Sequence, residues 1–109
     1  MELTGKALDK FEDWFNNKYD NVNTSEVIFL LTEFNELEDN MKFGVLVDFF
    51  ESEGMQVYLN PLPDGRWSVY IDNYGSHTLT DYILKHGRPE ARTAAVEKAN
   101  EILNQKLDK

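Results

Sequence analysis

The run MQVYLNPLPDGRWSVYID, residues 55–72, decides the fold class. Met55, Val57 and Leu59 recur at every second position, and Trp67, Val69 and Ile71 do the same after the loop. A period of two places each set on one face of an extended strand. Between the runs, Asn60-Pro61-Leu62-Pro63-Asp64-Gly65 gathers residues that preset or tolerate turn dihedrals, so the spacing predicts an antiparallel β-hairpin. Tyr58 and Tyr70 then share the other, partly exposed face.

Downstream of the hairpin, residues 78–84 read either as a third strand beside the second or as a short helix ending near Gly87, and we take the strand. The closing element has helical spacing, with Ala91, Ala95, Ala99, Ile102, Leu103 and Leu107 on one side. Pro89 suits the first helical turn, and Glu90 sits where the helix dipole favours an acid. Alanine at three of the inward positions lets this helix lie close to whatever it packs on.

Upstream, residues 3–19 place Leu3, Ala7, Leu8, Phe11, Trp14, Phe15 and Tyr19 three and four apart, which predicts an amphipathic helix capped by Thr4. Asp20-Asn21-Val22-Asn23 breaks it. Residues 25–37 fit a second helix through Val27, Leu30, Leu31, Phe34 and Leu37, although Val27-Ile28-Phe29-Leu30-Leu31 would also suit a buried strand. A third helix is expected from Asp39 or Asn40 to Glu53, with Gly54 in the left-handed position after its end. Met41, Val45, Leu46, Phe49 and Phe50 make one broad stripe on it, flanked by Phe43 and Val47. A helix this apolar is expected to be buried on more than one side. Gly44 inside it costs about 1 kcal/mol relative to alanine, and close approach of another backbone is the expected compensation.

The fold class is therefore α+β: N-terminal helices, a small antiparallel sheet of two or three strands, and a C-terminal helix packed across it. The 109 residues suit one domain, 1–109, and 41% hydrophobic content is too high for a disordered chain. With no cysteine, neither a disulfide framework nor a thiolate metal site is available. The sequence contains no apolar run near the roughly 20 residues that span a bilayer, and it opens without a basic, apolar leader. A soluble protein in the cytoplasm, without membrane partners, is the expectation. Asn23-Thr24-Ser25 matches a glycosylation sequon but reads more simply as a capping cluster.

Charge is distributed unevenly. Residues 1–54 hold 13 Asp/Glu against 4 Lys/Arg and all seven Phe, whereas residues 55–109 hold 7 against 7, so the net −9 belongs to the first half. An acidic, Phe-rich half joined to a neutral one suggests a surface that faces a partner and a unit that supplies scaffold.

Three stretches carry a resemblance. Residues 88–104, RPEARTAAVEKANEILN, and residues 41–52, MKFGVLVDFFES, resemble the "RPEARTAAIEKANEIYN" ending and the "MQYGVLVDFFDSVG" stretch of small uncharacterised proteins of phages, prophages and mobile elements of gut Bacteroidetes. Leu3-Thr4-Gly5-Lys6-Ala7 is similar to their opening. Glu53 and Leu103 depart from the pattern, which tends to an apolar residue and to Tyr there. The resemblance implies a phage or mobile-element source and the host cytoplasm as the place of work. It brings no activity with it.

No constellation points to catalysis. His77 and His86 lie near Asp72 and Asp81 in sequence but lack metal-ligand spacing. Ser76-His77 is an adjacent pair without a nucleophile elbow, and the glycines form no phosphate cradle. The chain is read as non-enzymatic, with no cofactor and no metal. Direct nucleic-acid binding is disfavoured because the basic surface that releases counterions from phosphate is missing. Lys85, Arg88, Arg92 and Arg66 could form a local patch for an acidic partner, against the simpler reading of a solvated helix start.

The feature with functional reach is the acidic set Glu33, Glu36, Glu38, Asp39, Asp48 and Glu51, with Glu53 beyond it. It forms a candidate interaction surface, set against the simpler reading of a solubilising coat. Phe43, Val47 and Phe50 are the candidates for self-association. The expected function is therefore protein–protein contact with a partner that sequence does not name, including a homodimer through residues 41–52. The alternative is an acidic nucleic-acid mimic that blocks a host nucleic-acid-binding or nuclease complex.

Overall fold

The computed structural model describes residues 1–18, 34–73, 78–79 and 83–108, the side chains of 78, 79, 83 and 84 excepted. The helix expected over 25–37, the break at 20–23, the sequon, Glu33, His77 and Asp81 fall wholly or largely outside these residues. Residues 34–36 are helical. The described elements are α1 (Gly5–Lys18), α2 (Asp39–Ser52), β1 (Met55–Pro61), β2 (Arg66–Asn73), β3 (Thr78–Leu79), β4 (Ile83–His86) and α3 (Arg88–Leu107). The fold is α+β, as the sequence patterning predicts.

β1 and β2 form the hairpin, with Met55 opposite Asn73, Val57 opposite Ile71, Tyr58 opposite Tyr70 and Pro61 opposite Trp67. Pro61 is tolerated because β1 is an edge strand. The connection is tighter than the predicted loop: Gly65 N–H donates to the Leu62 carbonyl at 3.1 Å and Leu62 N–H to the Arg66 carbonyl at 2.8 Å. Pro63 and Asp64 therefore form a β-turn, and Gly65 follows at φ +88°. That is the three-residue hairpin loop whose last position requires left-handed backbone.

β3 and β4 lie end to end along the other edge of β2, both antiparallel to it, so the sheet is three strands wide. Asp72 faces Leu79, and Val69 faces Ile83.

The helices cover the face carrying Met55, Val57, Val69 and Ile71, all buried. α3 lies on β1, β2 and β4, and its Ala91, Ala95 and Ala99 are fully buried, as close packing demands. Gly87, at φ +84°, is the single residue between β4 and α3. The core also holds an aromatic cluster from α1, α2 and residue 34. Phe11 meets Phe49 edge to face with centroids 5.3 Å apart, and Phe34 sits 5.0 Å from Phe11. Such pairs add about 0.5–1.5 kcal/mol beyond their area.

α1 does not receive its cap from its own sequence. The Thr4 carbonyl accepts the first helical bond, from Leu8 N–H, but the Thr4 hydroxyl accepts from Asn100 Nδ2 at 3.0 Å instead of capping. Asn104 Oδ1 on α3 takes the Ala7 N–H at 2.8 Å, while its Nδ2 donates to the Thr4 carbonyl at 3.0 Å. Asn100 Oδ1 accepts the Thr4 N–H at 2.9 Å. Two asparagines one helical turn apart thus clamp the first turn of α1. Lys6 adds an exposed ion pair to Asp108 at 2.9 Å.

A second tie gathers the far end of α3. Lys106 Nζ donates to the Glu53 carbonyl at 3.0 Å and to Asn73 Oδ1 at 3.1 Å, joining the end of α2 to the end of β2. A cation there also suits the negative pole of α2.

Candidate functional site

α2 is half buried, not wrapped. Leu46, Phe49 and Phe50 face the core, and Phe43, Val45 and Val47 pack partly against it. Phe50 is only 1% exposed, so it belongs to the chain's own core and leaves the expected self-association set; Phe43 and Val47 remain on the flank. The outward face carries Asn40, Gly44, Asp48 and Glu51, spaced four, four and three, all exposed. Met41 is 56% exposed beside them. The expectation that another backbone approaches Gly44 fails among the described residues: nothing lies within 4 Å of where its Cβ would stand.

The acidic set is exposed throughout its described members: Glu36, Glu38, Asp39, Asp48 and Glu51. It does not form one array. Asp39 and Asp48 are nine residues apart, about two and a half helical turns, so they point to opposite sides of α2. Asp39 instead shares a shallow groove of about 370 Å³ with Glu90 and Glu97 of α3, beside Lys85. Neither Glu90 nor Glu97 enters the sequence-derived set, because their nearness to Asp39 is created by α3 crossing back toward the start of α2. Asp48 and Glu51 lie on the outward face.

Among the described residues the salt bridges are Lys6–Asp108, Arg66–Asp64 and Lys98–Glu101. None involves the acidic set. The basic candidates are partly engaged: Arg66 Nε donates to Asp64 Oδ2 at 2.7 Å, and the Arg88 guanidinium lies 4.6 Å from the centre of the Trp67 ring. Both arrangements fit the reading of these cations as local surface contacts.

A smaller cleft, about 240 Å³, opens between the start of α1, residues 34–35 and α2. Leu3, Leu8, Phe11, Phe34 and Leu46 supply its apolar walls, and Glu2, Glu12 and Asn35 are the polar residues that line it. Sequence reading missed it, since its walls come from three separate segments. Among the described residues no three His, Cys, Asp or Glu side chains gather as metal ligands. His86 is exposed at the end of β4, opposite Arg66. No described helix is long and apolar enough to cross a membrane.

Compared with protein-family models, curated proteins and solved structures, the chain finds no match.

Proposed function

We propose that this chain is a non-enzymatic binding domain that meets a protein partner through the outward face of α2, which carries Asp48 and Glu51, and the acidic segment leading into the helix. The observation that carries the reading is the state of the carboxylates: Glu36, Glu38, Asp39, Asp48 and Glu51 are exposed and, among the described residues, without a salt bridge. Unbalanced surface charge of one sign repels itself and favours encounter with a surface of the opposite sign. The likeness of residues 41–52 and 88–104 to phage and mobile-element proteins supports such a source and work in a host cytoplasm.

A nucleic-acid mimic would present its charges as one continuous array. The opposed directions of Asp39 and Asp48 on α2 therefore favour a protein contact over mimicry of a phosphate backbone. A homodimer would use Phe43 and Val47 without Phe50, and light scattering should then report a mass above 12.7 kDa; a strict monomer at high concentration removes it.

The test of the main reading is capture from host lysate by the wild-type chain and by a D48K/E51K double variant, both exposed positions, with folding checked by circular dichroism. A partner held by wild type, lost by the variant and released as salt rises supports the proposal. A partner held equally by both would sink it.

A further inference from the structure

The cleft at the start of α1 has a size and a charge that specify an occupant. Its volume of about 240 Å³ falls below the roughly 300–1,000 Å³ of small-molecule sites and suits one large side chain. Phe11, Phe34 and Leu46 line it, with the Phe11 and Phe34 rings 5.0 Å apart and Leu46 almost fully buried. Leu8 also lines it and is 36% exposed. Apolar surface already ordered by the core does not have to be reorganised when an anchor enters, which is how preformed pockets become binding hot spots.

Among the described residues, the charged side chains that line the cleft are both acidic; Met1, which carries the α-amino group, lines it as well, so the two carboxylates outnumber the one cation. Glu2 and Glu12 line it, both exposed and neither in a salt bridge among the described residues. Among the described residues no Lys, Arg or His side chain lines it. Exposed Glu36 and Glu38 follow Phe34 and Asn35 along the chain, so the apolar cleft lies next to the start of the acidic surface. A purely apolar partner would leave those carboxylates uncompensated at the contact. An acidic one would be repelled.

We propose that this cleft receives one large apolar side chain, Leu or Phe, from a partner segment that carries Lys or Arg on both sides of it. The inference rests on the acidic-surface reading and sharpens it: the partner is a basic peptide segment with a single hydrophobic anchor.

The probes are three synthetic peptides titrated into the full ¹⁵N-labelled chain: a Leu flanked on each side by two Lys, the same peptide with Ala for Leu, and the same with Glu for Lys. The Leu peptide should shift the amides of Leu8, Phe11, Glu12 and Asn35 and bind about ten- to sixtyfold more tightly than the Ala peptide, the range from partial to full burial of the three extra carbons. The Glu peptide should not bind. Glu12→Gln should weaken the Leu peptide severalfold, and Leu8→Arg, at an exposed position, should block it while leaving the spectrum of the folded chain in place. Equal affinity for the Leu and Ala peptides, with shifts confined to Asp48 and Glu51, would overturn the cleft proposal and leave the acidic-surface reading standing. No response to either Lys peptide would overturn both. Shifts that appear on dilution without peptide would show a second copy of this chain in the cleft and overturn the basic-segment occupant.

Discussion

Asn104 and Ala7 lie 97 residues apart in the chain, yet the Asn104 side-chain carbonyl is the cap of the Ala7 amide, at 2.8 Å. A helix start carries several N–H groups with no partner inside the helix, and a nearby Ser, Thr, Asn or Asp normally accepts one. Here the acceptor comes from the last helix, so the helical state of α1 and its docking on α3 are one event. The opening and closing stretches of the chain meet at this clamp.

Removing it should cost what losing a helix cap costs. Asn104→Ala leaves the Ala7 N–H without its acceptor and takes one of two donors from the Thr4 carbonyl, which keeps Leu8 N–H; it should destabilise the chain by about 1–2 kcal/mol, read as a lower urea midpoint at unchanged slope. Gly5→Ala should act in the same direction. Gly5 holds φ +62°, and an added Cβ would stand 3.0 Å from Asn104 Oδ1, so left-handed strain of about 1–2 kcal/mol comes with a push on the clamp itself. A double variant should fall short of the sum of the two losses, because both damage one contact. Full additivity would sink the account.

Periodicity carried much of the fold. Two alternating runs defined the hairpin and paired Tyr58 with Tyr70, because side-chain alternation and register are the same geometric fact. Gly54 and Pro89 marked their helix ends through backbone limits that are written into single residues. What stayed hidden depends on separate segments meeting. Thr4 reads as a cap because capping is read locally, while Asn100 and Asn104 read as ordinary helix positions. The available signal was two asparagines four apart in an otherwise good helix former, since Asn is a poor helix residue and needs a reason to stay. Phe50 reads as a self-association candidate because the apolar stripe of α2 is broader than the face the core accepts. The cleft and the Asp39–Glu90–Glu97 groove exist only after α1, α2 and α3 are packed.

The hairpin turn gives a small pH response. Asp64 is held below its ordinary value near 3.8, first because it accepts the Arg66 backbone N–H and second because it accepts from the Arg66 guanidinium. A carboxyl that is harder to protonate in the folded chain contributes stability above its unfolded pKa and loses it as pH falls through the folded one. The pair is exposed and screened by solvent, so the effect is modest. The difference in urea midpoint between wild type and Asp64→Ala should be present near neutral pH and shrink in acid below 3.8. A difference that does not change with pH would show that Asp64 acts through turn shape alone.

The two sides of α2 should answer truncation differently. Phe50 is 1% exposed and 5.4 Å from Phe49, so Phe50→Ala should cost about 3–5 kcal/mol through lost burial and the cavity left behind. Met41 is 56% exposed, and Met41→Ser should move stability by no more than about 0.5 kcal/mol. Thermal unfolding of both variants checks the assignment; comparable losses would mean that Met41 is covered in solution.

Gly44 and Gly54 separate the chain's own needs from those of a contact. Gly44 lies in the helix with open space where a Cβ would stand, so Gly44→Ala should gain about 0.5–1 kcal/mol in the isolated chain through helix propensity. Gly54 holds φ +81°, and Gly54→Ala should lose about 1–2 kcal/mol because an L side chain is strained there. The informative case is Gly44 measured over a range of protein concentrations. If the outward face of α2 seats a second copy, the added methyl group fills the space a facing backbone needs, and the gain at low concentration should turn into a loss as the assembly forms. A gain that holds at every concentration leaves Gly44 with no packing role in self-association, and moves the case for a contact on this face to a partner recognised through Asp48 and Glu51.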